Sequence, residues 1–152
     1  MNQEVKMKPS YLKIAFLDRD GTLIKDYPDE KWREIKEPEF LEGAIEGLKR
    51  LKEMGYDFII ITNQYLINDG IISLNDYQQF TGKFLKKLKE ENIDILKIYF
   101  CPHNEKDHCH CKKPKPGMIE QAKKDFLIDM NNSIYIGDSQ VDYLLEKHFN
   151  LS

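Results

Sequence analysis

Short, unbroken apolar runs alternate along the chain with stretches whose apolar residues recur every three or four positions. Lys13-Ile14-Ala15-Phe16-Leu17, Phe58-Ile59-Ile60-Ile61, Ile95 to Phe100 and Ile134-Tyr135-Ile136 are runs of the first kind. Runs this short, bounded by polar or turn residues, predict strands covered on both faces. Leu41, Ala44, Ile45, Leu48 and Leu51 keep helical spacing as far as Gly55, which suits a C-terminal stop. Ser73 and Asp76 have the spacing of a capping box, and Tyr77, Phe80, Phe84, Leu85 and Leu88 then share one helical face. Pro116 suits the first turn of a helix that turns Met118, Ile119, Ala122 and Phe126 inward. Val141, Leu144 and Leu145, with His148 as a further candidate, outline a last helical face. Strand then helix, four times over, predicts an α/β fold, a Rossmann-like three-layer sandwich around a parallel sheet.

Ligands of such sheets bind outside the carboxyl ends of the strands. Those ends carry Asp18-Arg19-Asp20-Gly21-Thr22, Thr62-Asn63-Gln64, Cys101-Pro102-His103 and Gly137-Asp138-Ser139. No glycine-rich nucleotide fingerprint is among them. Asp18 and Asp20, two apart at the end of a strand, point to one side if extended. Carboxylates so close repel, and a divalent cation relieves that cost. Asp138 adds a third hard oxygen ligand, a set that suits Mg²⁺ with a phosphate oxygen as co-ligand. Thr62 and Asn63 offer a hydroxyl, an amide and backbone N–H groups to an anion. Against this, an aspartate at a strand end is often only a turn former or helix cap.

Length and charge narrow the picture. The 152 residues suit one domain spanning residues 1–152, with 23 basic and 26 acidic side chains and a net charge of −3. That balance offers no strong pull on nucleic acid. No apolar run approaches the roughly 20 residues of a membrane span, and Met1 to Ser10 lacks the apolar stretch of a signal peptide. A soluble, cytoplasmic protein without a membrane partner is expected.

Cys101, Cys109 and Cys111 fall within one short stretch that also holds His103, His108 and His110. An odd count without an export signal argues against disulfides. Cys101-x-His103-x5-Cys109-x-Cys111 supplies three thiolates and an imidazole, the donor set of a closed structural Zn²⁺ site in a loop over residues 101–111. His108 or His110 could replace His103, although His110, between two cysteines, should point away. The alternative is free thiols on a polar loop. Zinc would staple a segment with almost no apolar residues, and so hold Lys113 at the rim of the acidic site. Lys113 lies in a basic run with Lys112 and Lys115, which could be plain solvated surface. Its place before Pro114 and Pro116 sets it apart.

The chain resembles the haloacid dehalogenase superfamily of phosphatases. The resemblance is carried by Phe16-Leu17-Asp18-Arg19-Asp20-Gly21-Thr22-Leu23, by Ile61-Thr62-Asn63-Gln64, by Lys113-Pro114-Lys115-Pro116-Gly117-Met118, and by Ile136-Gly137-Asp138-Ser139 with Asp142. It covers residues 13 to about 145. It implies that Asp18 attacks phosphorus to form an aspartyl-phosphate, while Asp20 protonates the leaving oxygen and then activates water. It further implies Mg²⁺ held by Asp18, the Asp20 carbonyl and Asp138, and phosphate oxygens met by Thr62, Asn63 and Lys113. Asp142 is a candidate support. Trp32 and Tyr27 are candidates for the leaving-group side, against ordinary packing.

With the cysteine loop ahead of the lysine motif, the chain is similar to two groups without a large cap, the heptose bisphosphate and the histidinol-phosphate phosphatases. The short interval from His103 to Cys109 is more like the latter. Two departures bear on substrate. Tyr65-Leu66-Ile67-Asn68-Asp69-Gly70 stands where small residues and an Arg-Gly are usual, and Lys112 stands where the heptose enzymes carry Arg, the better bidentate phosphate ligand. The resemblance also implies a further strand after the last helix. Its absence would leave a sheet edge for the N-terminal arm or a second subunit to cover, with self-association a consequence. The leading expectation is a Mg²⁺-dependent phosphomonoesterase for a small phosphorylated metabolite. The alternatives are a polynucleotide 3′-phosphatase and a non-catalytic, zinc-stapled phosphate-binding scaffold.

Overall fold

Four apolar runs form four parallel strands, β1 (Ile14–Leu17), β2 (Asp57–Asn63), β3 (Lys97–Cys101) and β4 (Ile134–Ile136), in the order β3-β2-β1-β4. The computed structural model describes residues 10–151. Among the described residues four α-helices lie between and after the strands: α1 (Ala44–Glu53), α2 (Leu74–Glu90), α3 (Gly117–Asp125) and α4 (Gln140–His148).

The two-residue period of the strands sorts their side chains between two cores. Ile14, Phe16, Ile59 and Ile61 pack with Met118, Ile119 and Ala122 of α3 and Leu145 of α4. Ala15, Leu17, Phe58 and Ile60 pack with Leu48 of α1 and Phe80, Phe84 and Leu88 of α2. With helices on both faces, β1 is buried at every position, so it reads as a continuous apolar run rather than an alternation. The architecture is the three-layer sandwich expected from the pattern, without a cap domain among the described residues.

The helix starts follow local chemistry. Ser73 accepts from the Asp76 N–H, and the Asp76 side chain accepts from the Ser73 N–H, a closed capping box at the head of α2. Ser73→Ala should cost about 1 kcal/mol and lower Tm by about 3 °C in thermal unfolding. An unchanged melting curve would mean that the box adds nothing. The apolar spacing that began at Leu41 enters α1 late, because Gly43 takes a left-handed turn (φ 82°) before Ala44.

Two elements depart from the pattern in ways that shape the site. β3 begins at Lys97 rather than Ile95 and runs through Cys101, so that cysteine is a fully buried strand residue. α4 is turned from its expected face: Leu144 is 46% exposed and His148 is exposed, while Asp142 and Leu145 face inward. The cause is the hydrogen bonding of Asp142, described below. β4 lies at a sheet edge among the described residues. The N-terminal arm, expected as one cover for such an edge, lies outside them.

Candidate active site

The ends of β1, β2 and β4 meet at the point where strand order reverses around β1, the usual ligand crevice of an open parallel sheet. A cavity of about 270 Å³ opens there. Asp18, Asp20, Thr62, Asn63, Lys113, Asp138 and Asp142 all line it, as does Trp32. The turn after β1 depends on Gly21, at φ 81°, where a Cβ would come within 2.5 Å of Asp138 Oδ2. Any side chain there would push Asp138 away from Asp18. Gly137 is constrained in the same way, since its Cβ would meet Asp142 Cγ at 2.5 Å.

Lys113 is the hub. It is 3% exposed. Its ammonium donates to Asp18 Oδ1 at 3.0 Å, to Asp142 Oδ1 at 2.5 Å and to the Tyr135 hydroxyl at 3.1 Å. Asp142 also accepts from the Tyr135 hydroxyl on Oδ1, and from the Ser139 hydroxyl and N–H on Oδ2. A carboxylate offers about four lone-pair positions, and all four of Asp142's are filled. Burial pushes its carboxyl up, but the Lys113 charge and these donors outweigh that and hold it below the usual range. Asp18 fares differently. Burial drives it up to about 7, against the pull of Lys113 and with a further push from Asp142. Lys113 is therefore chiefly the counterion of Asp142, and Asp18 is the more basic carboxylate of the pair.

This geometry bears on two assignments. Oxygens of Asp18, Asp138 and Asp142 lie within 4.8 Å of one another, whereas the Asp20 side chain stands outside that group. Arg19 Nε and Nη2 and Gln64 Nε2 hold the Asp20 carboxylate outside it, and the backbone carbonyl remains the metal ligand that the resemblance implies. Asp142, though within the group, has no lone pair to spare. Asn63 also takes another part. Its Oδ1 accepts from the Lys113 N–H at 2.8 Å and its Nδ2 donates to the Lys113 carbonyl at 3.3 Å. The amide expected to meet phosphate instead anchors the lysine. Thr62 keeps a hydroxyl proton to donate, since its Oγ1 accepts from Gln64 Nε2 at 2.9 Å.

The cavity fits Mg²⁺ by its donors: hard carboxylate oxygens, with six acidic side chains around a single buried ammonium. Its outer wall is Asp26, Asp29, Trp32 and Tyr65. Trp32 Nε1 donates to Asp26 and the Tyr65 hydroxyl to Asp29. Trp32 both lines this wall and packs in the core, edge-on to Tyr27 and Phe80. Lys112 does not reach the cavity. It pairs with Glu105 at 2.6 Å and lines a neighbouring groove beyond Tyr65.

The cysteine loop closes on itself as its spacing suggested. Cys101, His103, Cys109 and Cys111 offer donor atoms 2.9 to 3.5 Å apart along their bonded edges. All three cysteines are free, and 2.9 Å is far beyond a disulfide's roughly 2.05 Å. Three sulfurs and an imidazole nitrogen converging this way fit Zn²⁺. Burial pushes the Cys101 and Cys111 thiols up; it also raises Cys109, but there the Lys112 N–H and neighbouring sulfurs bring the thiol down to about 7. His110 points away to Glu120 and His108 is exposed in a left-handed turn, which leaves His103 as the fourth donor.

Gln64, Tyr135, Asp26 and Asp29 were not singled out by sequence. Gln64 is the last residue of a recognised motif, and Tyr135 is the one polar-tipped residue of an apolar strand. Either signal could have been followed.

Fold and site together define a phosphatase of the haloacid dehalogenase-like class, an enzyme that hydrolyses phosphate monoesters. Residues 13–151 match the family described as polynucleotide kinase 3 phosphatase, and the chain belongs to that family. It is 42% identical over 144 residues to a D-glycero-alpha-D-manno-heptose-1,7-bisphosphate 7-phosphatase of Photorhabdus laumondii, covering 90% of this chain and 77% of that protein. It is 41% identical over 136 residues to a D-glycero-beta-D-manno-heptose-1,7-bisphosphate 7-phosphatase of Haemophilus influenzae, covering 86% and 73%. In fold it is similar to the crystal structure of the D,D-heptose 1,7-bisphosphate phosphatase of B. bronchiseptica complexed with magnesium and phosphate. The TM-score is 0.82 at 24% identity, covering 93% of this chain and 78% of that one. Among the described residues no helix is long and apolar enough to cross a membrane.

Proposed function

We propose that this phosphatase hydrolyses a small phosphorylated sugar of the heptose 1,7-bisphosphate kind, with Mg²⁺, through an aspartyl-phosphate on Asp18. The observation that carries the reading is the meeting of Asp18, Asp20, Thr62, Lys113 and Asp138, drawn from three strand ends and a distant loop, around one cavity. An Asp18 oxygen attacks phosphorus, and the ester oxygen leaves with a proton from Asp20. Asp20 then takes a proton from water, which attacks the phosphoaspartate and releases phosphate. The Lys113 proton now given to Asp18, and the Thr62 hydroxyl, would turn to the equatorial oxygens, where fixed donors matter most. Bound by Asp18, Asp138 and the Asp20 carbonyl, Mg²⁺ would neutralise phosphoryl charge and hold the group in line. Cys101, His103, Cys109 and Cys111 would hold Zn²⁺ in a structural role. This substrate class and cofactor fit a cytoplasmic enzyme.

The names of the curated relatives favour the heptose substrate over histidinol phosphate, against the spacing argument from His103 to Cys109. The outer wall supports a polyol. Asp26 and Asp29 present acceptors to hydroxyls, and Tyr65 with the exposed edge of Trp32 adds apolar surface beside them. The family's description keeps 3′-phosphorylated DNA as a second reading. An acidic wall and a net charge of −3 oppose a polyanion.

The test is phosphate release with Mg²⁺ from D-glycero-D-manno-heptose 1,7-bisphosphate, histidinol phosphate and a 3′-phosphorylated DNA end. The expected result is a kcat/KM at least about tenfold higher for the heptose ester, abolished by EDTA. Fastest release from DNA would replace this reading with the polynucleotide one. No release from any ester would leave only a binding scaffold.

A further inference from the structure

Arg19 has no task in the mechanism above, yet it is only 2% exposed. A buried guanidinium is costly, and apolar packing of similar volume is often as stable. Its setting is specific. Nε donates to Asp20 Oδ1 at 2.8 Å and Nη2 to Asp20 Oδ2 at 3.1 Å, a two-pronged grip on one carboxylate. Nη1 is buried without an acceptor. The guanidinium carbon lies 5.0 Å from the Phe80 ring centroid, 5.6 Å from Tyr77 and 5.9 Å from Trp32. Those rings supply cation–π attraction in place of the missing acceptor. They also block the guanidinium from turning away.

Gln64 adds a third donor, from Nε2 to Asp20 Oδ2 at 3.0 Å. Each carboxylate oxygen has about two lone-pair positions. Both positions on Oδ2 are then filled, by Arg19 and Gln64. Oδ1 has one filled, by Arg19 Nε, and one open. Rotating the carboxylate would break both prongs at once.

We infer that Arg19 is a positioning residue: with its aromatic backing it fixes the Asp20 carboxylate so that Oδ1 alone exchanges the leaving-group proton. The inference rests on the proposed acid–base role of Asp20. It makes the shape of the side chain decisive, not only its charge. Lysine carries the charge without the fork.

The experiment is first-turnover leaving-group release, by rapid quench with Mg²⁺, for the native protein, Arg19→Met and Arg19→Lys. Two probes are compared. Glycerol 2-phosphate expels an alkoxide that needs a proton as it leaves. 4-Nitrophenyl phosphate expels a phenolate stable without one. Arg19→Met should slow release from glycerol 2-phosphate about a hundredfold, the scale of general-acid catalysis, and from 4-nitrophenyl phosphate severalfold at most. Arg19→Lys should follow Arg19→Met, and it carries the comparison if the methionine variant does not fold. Parallel losses on both probes would reduce Arg19 to a structural residue. Recovery of the alkyl rate in Arg19→Lys would show that charge, not the fork, is what matters. Either result overturns the inference and leaves the proposed function standing. A native protein silent on both probes and on the heptose ester would overturn the two together.

Discussion

Asp18→Asn should lower kcat by at least about 10⁴-fold, on the scale seen when an enzyme loses its nucleophile, and leave the fold intact. In the proposed mechanism the Asp18 carboxylate, at the end of β1 and within the Lys113 network, is the group that attacks phosphorus. An amide nitrogen carries no available lone pair for that attack, and its oxygen is far less nucleophilic. The amide can still turn its oxygen toward the Lys113 ammonium, now 3.0 Å from Asp18 Oδ1. The lysine remains anchored by Asp142, Tyr135 and Asn63. Burial already disfavours charge at Asp18, lifting it to about 7. Removing that charge should therefore not lower Tm. The measurement is steady-state hydrolysis of 4-nitrophenyl phosphate with Mg²⁺, alongside thermal unfolding and metal content. Turnover within tenfold of the native rate, in a folded variant, would end the aspartyl-phosphate mechanism for this chain.

The contrast between Asp18 and Asp142 marks what could be read from sequence. Strand ends were legible because buried parallel strands are unbroken apolar runs, and a run that stops at an aspartate locates a carboxylate in the crevice. The convergence of the three cysteines and His103 was legible because the four donors are close in sequence. What each polar group would bind was not legible. Asn63 turns to Lys113 across 50 positions and Asp18 meets Lys113 across 95, and no local pattern records such pairings. The face of α4 was misread for the same reason. Its apolar spacing pointed Leu144 inward, but the partners of Asp142 on Lys113, Tyr135 and Ser139 rotate the helix to bury the carboxylate instead. A charge satisfied by four hydrogen bonds outweighs a leucine left half exposed. The residue with the highest cost of unpaired burial sets the face.

Cys101→Ser should remove about one equivalent of zinc and most of the cooperative stability of the domain. Structural zinc contributes an apparent 10 to 16 kcal/mol, roughly, in small sites, which is comparable to the whole stability of a domain, about 5 to 15 kcal/mol. The loop from residue 102 to 116 has little else to hold it. Among its side chains Lys113 is the one that is buried, and that lysine reaches a carboxylate rather than a hydrophobic core. Cys101 is the donor built into β3 and fully buried, so its loss uncouples the metal from the sheet. Lys113 follows Cys111 by two residues, and it can meet Asp18 and Asp142 only while the loop is closed. Loss of zinc should therefore abolish turnover as well as stability. Protein purified without added zinc should carry one equivalent by atomic emission, and a strong chelator should lower Tm by more than about 10 °C and remove activity, as Cys101→Ser does. A native protein free of zinc, with a melting curve indifferent to chelator, would mean that the four donors are held by the fold alone. Lys113 would then owe its position to Asn63 and Asp142 rather than to a metal.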